Sequence, residues 1–211
     1  MTQPSGRTNA HGQRIGRAVD WSPVARPHGA TLAGTGVRLE AIGPQHVDDL
    51  VAAICGPDDD PIWTYLSWDR PRDRDEMAAI VEHGVADPGQ VMYAIVPVET
   101  GRAATEAMAL LMRHVFDDLG YRRYEWKCDS LNGPSRRAAI RLGFIWEGRF
   151  RNAVVHKGRN RDTDWFSITD GEWPRVRQAL DDWLDERNFD SMGRQRVRLA
   201  ARPPQPENDQ Q

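Results

Sequence analysis

The chain has 211 residues, of which 39% are hydrophobic and 28% charged, and its formal net charge is -3. That balance suits one substantial core and argues against nucleic acid or an anionic membrane as partner. Cys55 and Cys128 make no disulfide framework, the six histidines show no metal-ligand spacing, and no apolar run nears the ~20 residues of a membrane span.

Residues 1–30 are rich in Gly, Pro, Arg and small polar residues and are expected to be disordered. They hold no apolar stretch of the kind that directs secretion, so reduced thiols and a cytoplasmic location are expected. A folded domain is expected over 31–190, followed by a disordered tail, 191–211, that ends in "RPPQPENDQQ".

Within the domain, "VRLEAI" (37–42) reads as a first strand and 43–54 as a helix, with Val47, Leu50, Val51 and Ile54 on one face. A loop carrying Trp63, Tyr65 and Trp68 leads to a second helix over 73–84, and "QVMYAIVPV" (90–98) reads as a short buried strand. The clearest helix spans 104–119: Met108, Leu111, Met112, Val115, Phe116 and Leu119 share a face, and Gly120 stands where a C-terminal cap belongs. Residues 121–128 alternate as a strand, 134–142 form a short helix closed by Gly143, and two strands make a long hairpin around "KGRNRD" (157–162). "PRVRQALDDWLDERNF" (174–189) is a final helix. This order describes an α/β fold, a mixed sheet flanked by helices.

The run "LNGPSRRAAIRLGFIWEGRFR" (131–151) holds Asn132-x-x-Ser135, then Leu142-Gly143-Phe144 and Glu147-Gly148, and "KGRNRDTDWFSITDGEW" begins at 157. These residues, in this element order, closely resemble the GNAT acyltransferase family over 32–175. Within it they resemble the RimJ/RimL-type enzymes that acetylate protein N-termini and small amines. The resemblance implies an acetyl-CoA-dependent N-acetyltransferase whose small-molecule or peptide amine substrate attacks the thioester directly. Dimerisation through the last helix or a sheet edge is left open. A CoA-binding or interaction protein without turnover is the first alternative, and a poorly folding product the second.

The family holds the CoA pyrophosphate on backbone N–H groups at a helix start, where the dipole favours an anion. That loop aligns with Glu99-Thr100-Gly101-Arg102-Ala103-Ala104, so Arg102, Ala103, Ala104 and Thr105 are implied cofactor-binding residues. Ala103 and Ala104 permit close approach, while Glu99 places a carboxylate near the phosphates. From the residues alone an ordinary helix start fits too. The resemblance also implies Asn132 on the pantetheine arm or substrate, Ser135 beside the departing sulfur, with Ser135 or a water held by Asn132 protonating the thiolate, and Arg137 with Arg136 near the 3′-phosphate. Asn132 is equally suited to capping the helix. Many relatives carry a tyrosine acid where this chain has Ala139. Trp63, Tyr65 and Trp68 stand where the branch builds its acceptor pocket, though loop aromatics also pack on cores. Asp58, Asp59 and Asp60 would attract a cationic amine or form a solvated turn.

Relatives place two further strands between 90–98 and the phosphate loop, and here only "PVETG" stands there. Removing an antiparallel pair keeps strand direction, so 90–98 is expected beside 121–128 through a right-handed crossover. Pro97 would withhold one N–H from the thioester. The candidate bases are Glu40 and Glu99. An α-amine, with pKa ~7.7–8, suits so weak a base better than lysine.

Overall fold

A computed structural model describes residues 7–16, 18–98 and 102–201. Two short strands, β1 (Arg7–Thr8) and β2 (Arg14–Ile15), pair as a ribbon ahead of the domain. The extended run after them lies along the domain, where Trp21 Nε1 donates to the Gly120 carbonyl (3.2 Å) and the Tyr121 hydroxyl to that of Ala25 (3.2 Å). Thus the described part of 1–30 has a fixed course, although its composition suggests disorder.

A first antiparallel sheet comprises β3 (Leu32–Ala33), β4 (Val37–Ala41) and β5 (Tyr93–Pro97), in the order β3-β4-β5. Between β4 and β5 lie a 3-10 turn (Pro44–His46), α1 (Val47–Ile54), the short α2 (Asp60–Trp63) and α3 (Arg74–Ala86). These helices pack a small core of Val47, Trp63, Met77 and Val81. The α3 start is fixed by Asp73, whose carboxylate accepts the Glu76 N–H.

α4 (Ala103–Arg113) follows and continues as a π-helical turn, His114–Asp118. Gly120, at φ +70°, takes the left-handed conformation that ends it. A second antiparallel sheet holds β6 (Arg123–Asp129), β7 (Ile145–His156) and β8 (Arg159–Thr169), in the order β6-β8-β7, with α5 (Gly133–Arg141) between β6 and β7. The hairpin turns on Lys157 and Gly158 alone, both at positive φ, so β8 begins earlier than "KGRNRD" suggested. α6 (Trp173–Leu184) closes the main core against Met112, Phe144, Phe166 and Ile168.

Two expectations need correction. β5 does not pair with β6: among the described residues it pairs with β4 alone, and every strand pair is antiparallel. Half-exposed Ile95 marks β5 as a sheet edge, not a buried central strand. Nor does the chain leave the domain after 190. Residues 185–201 fold back on α6, and Leu199 and Ala201 enter the main core. Asn188 holds this return: its amide donates to the Trp183 carbonyl (2.9 Å), and its oxygen accepts the Val197 N–H (2.8 Å). Residues 202–211 lie outside the described residues.

Glu106 anchors α4 to the first sheet. Its buried carboxylate accepts the N–H groups of Thr35 (2.6 Å) and Gly36 (3.0 Å) in the β3–β4 turn. A Cβ on Gly34 would stand 2.3 Å from that carboxylate, so a side chain there would displace the Glu106 anchor. Replacing Glu106 with Ala strands two N–H donors and is expected to cost about 2 kcal/mol, read from denaturant unfolding. Unchanged stability would remove Glu106 as the anchor.

Candidate functional site

The start of α4 is polar and open. Arg102 occupies the cap position with no side-chain cap hydrogen bond, and the Thr105 and Glu106 amides turn back onto its carbonyl (3.1 Å each). The preceding amides, those of Ala103 and Ala104, have no intrahelical acceptor. The expected cradle is therefore narrower at its Thr105 end, where the amide is already spent. Glu99, Thr100 and Gly101 lie outside the described residues.

Arg141, from the end of α5, reaches the same place and donates from both terminal nitrogens to Thr105 Oγ1 (3.1 and 3.0 Å). The folded-back segment supplies the opposite wall. Arg102 lies over the Phe189 ring at 4.5 Å, and Arg141 over Trp183 at 5.0 Å. Arg102 also makes one long hydrogen bond to the Leu184 carbonyl (3.5 Å). Among the described residues neither guanidinium pairs with a carboxylate. The hollow they line is about 280 Å³. Two guanidiniums, the first amides of α4 and a helix dipole converge there, the chemistry that holds an anion. A larger hollow, about 540 Å³, lies between α6 and 196–200, and its wall mixes Asp182 and Asp185 with Arg187, Arg196 and Arg198. The sequence reading missed Arg141, Trp183 and Phe189, because nothing in "RNF" or "IRLGF" signals that a distant return brings them together.

The start of α5 forms a second cluster. Asn132 caps it, its side-chain oxygen accepting the Ser135 N–H at 3.0 Å. Ser135 Oγ accepts the Trp126 indole N–H (3.0 Å), which leaves the hydroxyl proton to donate. Nearby Cys128 has its thiol pushed up by burial, and the Ser135 hydroxyl pulls it partly back. Ala139, where relatives carry tyrosine, is fully buried in the core.

Arg136 does not reach outward to a phosphate. Its Nε lies 2.8 Å from Asp164, a wholly buried carboxylate that Arg149 also grips at 2.7 and 3.1 Å. The Arg136 contact is close but out of line for a hydrogen bond, so it is chiefly Coulombic. Arg137 is exposed on α5.

The loop aromatics separate. Trp63 is buried, with its indole N–H on the Ile54 carbonyl (2.8 Å), and belongs to the α1–α3 core. It is structural, not an open pocket wall. Tyr65 is half-buried, and exposed Trp68 meets His83 edge-on at 5.3 Å. Lys157 at the hairpin tip clasps this loop, donating to the carbonyls of Trp63 (2.9 Å) and Trp68 (3.1 Å) and pairing with Asp69 (2.9 Å). Asp60 pairs with Arg70, and Asp59 accepts the Gly56 N–H at 2.7 Å, so two of the three loop aspartates serve the turn itself. Glu40 is engaged by Arg38 and by His46 Nε2 (3.1 Å), contacts that lower its pKa and make it a feeble base.

The split sheet leaves two strand edges unpaired among the described residues. Bonds from Val98 N–H to Gly36 and from Ile42 N–H to Met92 set the β5 parity, so Tyr93 and Ile95 direct their amides away from β4. Pro97 falls in the same row and offers no N–H. By the same parity, Glu125 and Lys127 of β6 direct theirs away from β8.

An acetyltransferase (GNAT) domain profile matches residues 82–145. Over 70 residues the chain is 33% identical to the SPbeta prophage-derived uncharacterized N-acetyltransferase YokL of Bacillus subtilis, a match spanning 33% of this chain and 40% of that one. The crystal structure of a GCN5-related N-acetyltransferase from Brucella melitensis superposes with a TM-score of 0.82 at 38% identity, covering 85% of this chain and 96% of that one. A GNAT-family structure from Chromobacterium violaceum gives 0.70 at 30% identity, covering 77% and 97%. The RimL ribosomal L7/L12 N-acetyltransferase, at 17% identity and a TM-score of 0.56 over 70% of this chain and 99% of that one, shares the fold.

Asp164→Asn would leave Arg136 and Arg149 without their charge partner. With both guanidiniums about 40% exposed, the expected loss is about 2 kcal/mol, below that of a fully buried pair, and a denaturant melt reads it.

Proposed function

The chain belongs to the GNAT acetyltransferase family, and on that footing we propose that it transfers an acetyl group from acetyl-CoA to a primary amine. The observation that carries this reading is the uncapped start of α4 with Arg102 and Arg141 beside it. The amides of Ala103 and Ala104 would bind the diphosphate, with the two guanidiniums neutralising it. The outward amides of Tyr93, Ile95, Glu125 and Lys127 suit the two amide groups of a pantetheine arm. Acetyl-CoA supplies the activated acyl group when bound.

The amine nitrogen forms the new C–N bond as the C–S bond breaks. The thiolate takes a proton from the Ser135 hydroxyl, which accepts the Trp126 indole N–H and lies beside the Cys128 thiol, and the proton that the amine sheds restores it. The amine must shed a proton as well. With Glu40 held low by Arg38 and His46, a terminal α-amine suits the site better than a lysine. The half-buried Tyr65 and exposed Trp68, clasped by Lys157, would form the acceptor side.

The missing thioester donor at Pro97 supports a second reading, a CoA-binding protein without turnover, since one lost donor costs ~10²–10³ in rate. Free thiol released from acetyl-CoA in the presence of a panel of α-amines is the expected result for the enzyme. Thermal stabilisation by CoA with no thiol release would favour the binder. Ala104→Asp, on an exposed position, is expected to abolish stabilisation by CoA while leaving the ligand-free melt unchanged. Stabilisation that survives this substitution would sink the assigned diphosphate site.

A further inference from the structure

Two aromatic rings, Trp183 near the end of α6 and Phe189 in the return after it, face the guanidiniums of the candidate diphosphate site. Phe189 lies under Arg102 at 4.5 Å, Trp183 under Arg141 at 5.0 Å, and the two rings meet edge-on at 5.2 Å. A guanidinium stacked on a ring keeps its donors in its own plane, free for oxygen acceptors. Among the described residues Arg102 makes one long hydrogen bond, to the Leu184 carbonyl.

The rings are themselves held. Trp183 Nε1 donates to Gln195 Oε1 (2.9 Å), Phe189 pairs across to Gln195 as an isolated bridge, and Asn188 bonds both ends of the return. Leu199 and Ala201 then anchor the segment in the core. A long, flexible arginine loses rotamer entropy when a ligand orders it, and a ring held against the guanidinium removes part of that loss beforehand.

We propose that Phe189 and Trp183 are positioning residues, which hold Arg102 and Arg141 oriented for the diphosphate of coenzyme A. The inference rests on the reading of the α4 start as a diphosphate cradle and adds to it a dependence on the C-terminal return. The ligand class is an organic diphosphate, and the rings act through the arginines without touching it.

Calorimetric titration of coenzyme A into the full chain and its Phe189→Leu and Phe189→Tyr variants tests this. Leu keeps apolar bulk and removes the π face, whereas Tyr keeps the face. The expected result is an affinity about fivefold weaker for Phe189→Leu, near wild type for Phe189→Tyr, and matching unfolding midpoints for all three. The deficit is expected to persist with dephospho-coenzyme A, which retains the diphosphate. Equal affinities, or equal losses in both variants, would overturn the positioning role. A deficit that vanishes with dephospho-coenzyme A would overturn the diphosphate assignment. Failure of the wild-type chain to bind would bring down the cradle itself, and this inference with it.

Discussion

Two sheets that share no hydrogen bond among the described residues are bridged by one helix, α4, with the Lys157 clasp on the α2–α3 loop as a second tie. α4 sends Ala103, Ala107, Leu110 and Leu111 to the first sheet and Met108, Ala109, Met112 and Phe116 to the second core. Most helices in a sandwich bury one stripe, but this one buries two. Small side chains make that feasible, since Ala107 and Ala109 are wholly buried and let backbone approach on both sides. Glu106 adds a polar tie to the β3–β4 turn, between the two apolar rows. The helix start, where an anion would bind, is thus positioned by contacts with both halves of the molecule.

The second sheet is organised around a buried charge. Asp164 lies at zero exposure on β8 and collects Arg136 from α5 and Arg149 from β7. Burying a carboxylate is tolerable only with such partners. The same contacts fix the first turn of α5, so Asn132 and Ser135 sit on a helix end that is braced from below. Glu147, held by Arg123 and Ser167 with its pKa lowered to about 2, ties the start of β7 to its neighbours.

Much of this was legible in the residues. The α4 stripe, Gly120 and the alternation of 121–128 specify helix, cap and strand, because periodicity and glycine conformation are local properties. The α5 signature and the small residues at 103 and 104 likewise mark where two helix starts lie. What escaped were interactions between residues far apart in the chain. Arg136 reads as a solvated or phosphate-facing arginine until Asp164, 28 positions on, is seen beneath it. Trp63 reads as a loop aromatic until the Ile54 carbonyl claims its indole. Residues 191–201 read as a tail because they are polar and rich in arginine, yet one asparagine, Asn188, and the apolar contacts of Leu199 and Ala201 suffice to dock them. The vacant strand position was a matter of parity, which permits 90–98 to move across but does not compel it.

The unpaired rows on β5 and β6 have one more consequence. An edge that a ligand's amides can complete is also one that a neighbouring chain's backbone can complete. On the proposed reading, loading with coenzyme and edge-to-edge self-association would draw on the same donors at Tyr93, Ile95, Glu125 and Lys127, so each would exclude the other.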